Sequence, residues 1–189
     1  MSTIKKADET KPYEPSIRVG PTTELSVFFK VKPGTSLEAL QDGIRKYRQV
    51  VLNNFETLMK IGLHETRLVI FDDGTRILFA TSFDGDWTQY IDDAVMHLAV
   101  GFQAWLIYLE GYPATKESDP IPDKVVVREY IKKHQVPAVA YARTAPGGLK
   151  EVQKGLRLNN AFQKVLDDPA SHKALQDPAL KPLLDMAAD

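Results

Sequence analysis

Apolar residues alternate along "ELSVFFKVK" (24–32), with Leu25, Val27, Phe29 and Val31 on one side and Ser26, Phe28, Lys30 and Lys32 on the other. Period two predicts a β-strand. Beyond "PGTS" the period changes. Leu37, Leu40, Ile44, Tyr47, Val51, Phe55, Leu58 and Met59 recur at helical spacing, with Ser36 placed as an N-cap and Gly62 as a stop. These signals predict one helix between them. Gly43 inside it lowers helix propensity without breaking the pattern.

"ETRLVIFDD" and "TRILFATSFD" read as two further strands joined at Asp73-Gly74, the strongest short hairpin signal because the turn needs positive φ. A helix is expected from about Thr88 towards Leu109, with Asp84 or Asp86 as its cap and Gly111 and Pro113 as its end. Its core stripe is Trp87, Ile91, Ala94, Leu98, Phe102, Trp105 and Leu109. Past Val95 it is apolar almost all round, so a second surface has to cover it. "KVVVREYIKKH" reads as a short helix, and "VPAVAYARTA" (136–145) as a fourth strand. The tail is helical, and two of its pieces open with Asp-Pro, where Pro169 and Pro178 suit a first turn.

The resulting order is an α+β, ferredoxin-like βαββαβ antiparallel sheet with two core helices and extra C-terminal helices. Residues 1–22 are expected to be a partly disordered polar arm and 23–147 the ferredoxin-like domain. Residues 148–189 are expected as a helical extension packed on that domain. In the middle strands both faces are apolar, so the face away from the helices needs a cover. A second subunit's sheet or the C-terminal helices would supply it.

The block "GLHETRLVIFDDGTRILFATSFDGDWTQYIDD", with "EGYP" and "REYIKKHQVPAVAYARTAPG", resembles the dimeric α+β-barrel superfamily, in which two such sheets pack face to face. The resemblance covers about residues 24–165 and is to a largely uncharacterised bacterial group. It implies a homodimer enclosing a small-molecule site. The superfamily holds haem enzymes, such as dye-decolourising peroxidases and chlorite dismutases, beside cofactor-free monooxygenases and isomerases, so haem is one implied cofactor. The Gly-x-x-Asp motif of the dye-decolourising peroxidases is not evident here.

Composition narrows the chemistry. The chain has 189 residues, a formal net charge of -1 and no cysteine. Thiolate catalysis, disulfides and cysteine-bound metals are excluded. There is no global field for nucleic acid and no basic cluster interleaved with aromatics, so no nucleic-acid partner is expected. The longest apolar stretch, 94–109, is too short to span a bilayer and carries His97 and Gln103. The N-terminus lacks a secretory apolar region, and the chain reads as cytoplasmic.

Asp72, Asp73, Asp84 and Asp86 are read as turn and cap residues. The two pairs lie at opposite ends of one strand and cannot share an ion, so no metal site is assigned. His64, at the mouth of a strand, is the candidate catalytic and haem-binding imidazole. Its plain alternative is a hydrogen bond to a neighbouring loop. His134 can point at the same cavity or satisfy carbonyls at a helix C-terminus. His97 is expected to be packed and His172 solvated. Arg67 is the catalytic partner proposed for His64. Tyr141 and Arg143, on one face of the fourth strand, form a phenol–guanidinium pair suited to a small acid. The arginines can equally serve in surface ion pairs.

Two functions follow as expectations. One is a small-molecule-binding barrel, in one version an oxidoreductase with haem or without a cofactor, acting on an apolar or acidic compound. The other is a non-catalytic interaction protein that uses its apolar helices as an interface.

Overall fold

The computed structural model describes residues 16–144 and 147–187. The chain divides into two compact units, Met1–Leu149 and Lys150–Asp189. The first is an α+β unit built on a four-stranded antiparallel sheet in the order β1-β2-β4-β3. Its strands are β1 (Arg18–Val19), β2 (Thr22–Lys30), β3 (Leu63–Phe71) and β4 (Arg76–Asp84). Its helices are α1 (Leu37–Asn53), α2 (Phe55–Lys60), α3 (Trp87–Leu106) and α4 (Lys124–His134).

The period-two segments form the three long strands. Leu25, Val27 and Phe29 of β2 and Ile77, Phe79 and Phe83 of β4 are buried on the inner face. Helices α1 and α3 cover that face through an aromatic cluster in which Tyr47, Phe79, Phe102 and Trp105 meet edge-on or tilted. Every residue of the expected α3 stripe is buried, Leu109 included, although that residue falls past the helix end and bridges to Val31. Helix α4 packs on α3 and β2, and the Arg128 guanidinium grips both carboxylate oxygens of Asp92 at 2.8 Å. The sheet, α1 and α4 cover α3 on all sides from Gly101 onwards, whereas Met96 and Val100 stay exposed. Two helix details depart from expectation. The single first helix breaks at Asn54, whose backbone is non-helical, and His97 is exposed.

The expected fourth strand is not formed over residues 136–144; Ala145 lies outside the described residues. Only a bridge from Gln135 to Val27 and one bond, from Val136 N–H to the Ser26 carbonyl at 2.9 Å, join this segment to β2. Pro137 lacks a donor for a ladder, and Val139 is fully exposed. The edge position beside β2 is taken at its other end by β1, which pairs Val19 with Thr22 across a Gly20-Pro21 turn. The sheet therefore begins inside the stretch read as an arm. The rest of that arm, residues 1–15, lies outside the described residues.

On the outer face, the register aligns Phe28, Leu78 and Val69 in one row and Lys30, Arg76 and Phe71 in the next. Val69 is 43% exposed, and the Arg76 guanidinium lies 4.9 Å from the Phe71 ring centroid.

The second unit carries most of α5 (Leu149–Asp167), then α6 (His172–Leu175) and α7 (Lys181–Ala187), each of the two short helices preceded by a 3-10 turn. Asp168 and Asp177 cap those turns and Pro169 and Pro178 occupy their first positions. None of its described residues is buried, and Leu156 and Leu158 of α5 are exposed.

Candidate functional site

A β-bulge decides where the first candidate points. Counting back from the hairpin, Phe71 pairs with Arg76 and Glu65 with Ser82, but Leu63 pairs with Phe83. His64 is the extra residue, and a bulge re-aims the side chain it carries. The imidazole is turned onto Asp84 at the end of β4, with Nε2 to Oδ1 at 2.7 Å. Thr22, at the start of β2, donates its hydroxyl to the same oxygen at 2.8 Å and stands 3.3 Å from Nε2. The other carboxylate oxygen accepts the backbone N–H of Leu149 at 2.6 Å. Three strands and the residue that opens α5 therefore meet at one carboxylate.

The cluster is largely shielded: the side chains of His64 and Asp84 are 17% and 21% exposed. Burial pushes the Asp84 carboxyl upwards. The hydrogen bonds from His64, Leu149 and Thr22 outweigh burial and hold it below the ordinary carboxylate value. A carboxylate that accepts from Nε2 fixes the imidazole proton there and leaves Nδ1 with its lone pair. Nδ1 has no hydrogen-bond partner among the described residues. Chemically this is an imidazole with an oriented tautomer beside a carboxylate, an arrangement suited to a general base.

The remaining candidates do not converge on it. Arg67 is exposed and lies 3.8 Å from Glu65, a surface ion pair. His134 closes α4. Its Nδ1 bonds the Tyr130 carbonyl at 2.8 Å and its ring lies against Phe29 and Tyr130, with centroids 5.2 and 4.5 Å away. Phe29 and Thr22 stand at opposite ends of β2, so His134 and His64 are separated by roughly 20 Å of strand. Tyr141 and Arg143 lie in the irregular segment rather than on a strand. Arg143 donates from Nη2 to the Gly147 carbonyl at 2.8 Å.

A haem does not fit at His64, because haem iron takes the outer imidazole nitrogen and Nε2 there is held by Asp84 and Thr22. Among the described residues no three His, Asp or Glu side chains come together as a metal site requires. No helix among them is long and apolar enough to cross a membrane. Two open clefts, of about 440 and 570 Å³, flank the Pro33–Thr35 loop near the far end of the sheet, away from His64.

The residue that sequence reasoning missed is Asp84, read as punctuation. The hairpin register held the signal, since residues 63–64 and 83–84 face each other across the Asp73-Gly74 turn. No protein-family model, curated protein or solved structure matches the chain.

Proposed function

We propose that this chain is a ferredoxin-like domain that binds a small molecule bearing an acidic proton, with His64 and Asp84 taking and returning that proton. The reading rests on one observation: Nε2 of His64 is committed to Asp84 while Nδ1 has no partner among the described residues. A phenol or an activated C–H presented to Nδ1 gives up its proton, leaving an anion beside an imidazolium that Asp84 stabilises. This is the step that cofactor-free oxygenases and isomerases need first. The test follows the His64 Cε1–H signal by NMR while phenol, then 4-cyanophenol, is added. The signal of the wild type should move, and that of Asp84→Asn should not under the same conditions. Failure of both compounds to move His64, or equal movement in the variant, overturns the reading.

A second reading, an interaction protein, is favoured by the outer-face row of half-buried Phe28 and Leu78 with exposed Val69, and by α5, which buries none of its apolar residues. Pairing of two copies through their outer sheet faces combines the two readings. Sedimentation should then give a dimer that Val69→Lys splits. A monomeric wild type removes the pairing and leaves the proton-transfer reading to its own test.

A further inference from the structure

The geometry points to the Gly147–Leu149 backbone as a positioning element of the His64–Asp84 pair, seated by Arg143, so that undocking this segment disarms the pair. The inference rests on the proton-transfer reading for its purpose but not for its test.

Three observations carry it. The Leu149 N–H takes Oδ2 of Asp84 at 2.6 Å, which leaves Oδ1 as the oxygen for His64 and Thr22. A carboxylate bonded on both oxygens cannot rotate about its last bond without losing a donor, so the backbone N–H fixes the direction in which Oδ1 faces the imidazole. Gly148 makes the approach possible, because a Cβ there would lie 2.7 Å from Oδ2 and 3.4 Å from Cγ of Pro21. Only a residue without a side chain fits in that gap. Finally, Arg143 donates to the Gly147 carbonyl at 2.8 Å and holds the segment from its other side. Arg143, read from the sequence as a substrate ligand, is thereby a positioning residue. Its contact with the site passes through Gly147–Leu149 and then Asp84.

The groups that bear on Asp84 are one titratable side chain, His64, and two donors that do not titrate, the Thr22 hydroxyl and the Leu149 N–H. Removing the Leu149 donor withdraws stabilisation from the ionised carboxylate. Asp84 should then titrate at higher pH, a change that loss of packing alone would not impose on this carboxyl. Leu149 is the first residue of α5, where proline is well accommodated, so Leu149→Pro removes the N–H with little cost to the helix.

The experiment uses the full-length protein without ligand. Amide exchange of Leu149 in the wild type should be slowed at least tenfold relative to a free amide, and Asp84→Asn or Arg143→Ala should abolish most of that protection. Carboxyl NMR should find the Asp84 midpoint raised by several tenths of a pH unit in Leu149→Pro and in Gly148→Ala. A Leu149 amide that exchanges at the free rate in the wild type overturns the inference without any variant. An Asp84 midpoint unmoved in folded Leu149→Pro overturns it as well. Neither outcome bears on whether phenol or 4-cyanophenol reaches His64.

Discussion

At the hairpin end of β4, Asp72 and Asp73 hold left-handed backbone, with φ of 50° and 52°, and the Asp72 side chain is 55% exposed beside Arg76. At the other end the Asp84 side chain is 21% exposed and receives three donors, while two residues on Asp86 accepts the Gln89 N–H as the cap of α3. Both ends are written as two aspartates and a glycine, Asp72-Asp73-Gly74 and Asp84-Gly85-Asp86. The difference lies in what the neighbouring strands bring. At the hairpin end β2 arrives through a backbone bond, Val31 N–H to the Thr75 carbonyl at 2.8 Å, whereas the far end is where β2 starts, β3 bulges and residue 149 returns to donate to a carboxylate. Acidic turn residues become chemical groups when other segments converge on them.

The comparison can be broken most strongly at Asp84. Replacing it with alanine leaves the Thr22 hydroxyl, the Leu149 N–H and the His64 ring without their shared acceptor. The loss of unfolding free energy in urea should be about 2–3 kcal/mol. The same carboxyl gives a signed pH dependence. Its folded value is depressed below the ordinary 3.8, so its contribution is complete above the unfolded value and disappears as pH falls through the folded one. Acid unfolding of the wild type should therefore show a limb below about pH 4 that Asp84→Asn lacks. Asp86→Ala tests the cap alone and should cost about 1 kcal/mol by thermal or urea unfolding. At the hairpin, Asp72→Asn removes only a half-exposed ion pair with Arg76 and should change stability by less than about 0.5 kcal/mol. If Asp72→Asn proved as damaging as Asp84→Ala, the contrast between the two ends would be lost.

Much of the inner architecture was legible because burial imposes a period. The alternation in β2 and the α3 stripe each name their buried side, Ser36 named one helix start, and the Asp84/Asp86 pair marked the other, where Asp86 is the cap. The hairpin was legible for a different reason, since Asp72, Asp73 and Gly74 tolerate the positive φ that the loop demands. The failures are equally physical. "VPAVAYARTA" has strand composition, but β1 occupies part of the edge it would have joined and Pro137 interrupts the rest. In the site, the pairing of His64 with Asp84 depends on a bulge, which alternation does not encode. The Leu149 N–H comes from a backbone whose return to β4 no local pattern announces.

Gly43, which costs helix propensity in α1, has a consequence for how the protein tolerates change. A Cβ there would stand 2.1 Å from the Ala104 carbonyl oxygen, and one at Gly101 would stand 3.1 Å from Cβ of Val50. The spacing of α1 and α3 is thus set by two absent methyl groups, and that spacing lets Tyr47 reach Thr66 on β3, two residues from His64. In a library covering every substitution, these two glycines should be among the least replaceable positions in the chain, with Gly43 the more severe.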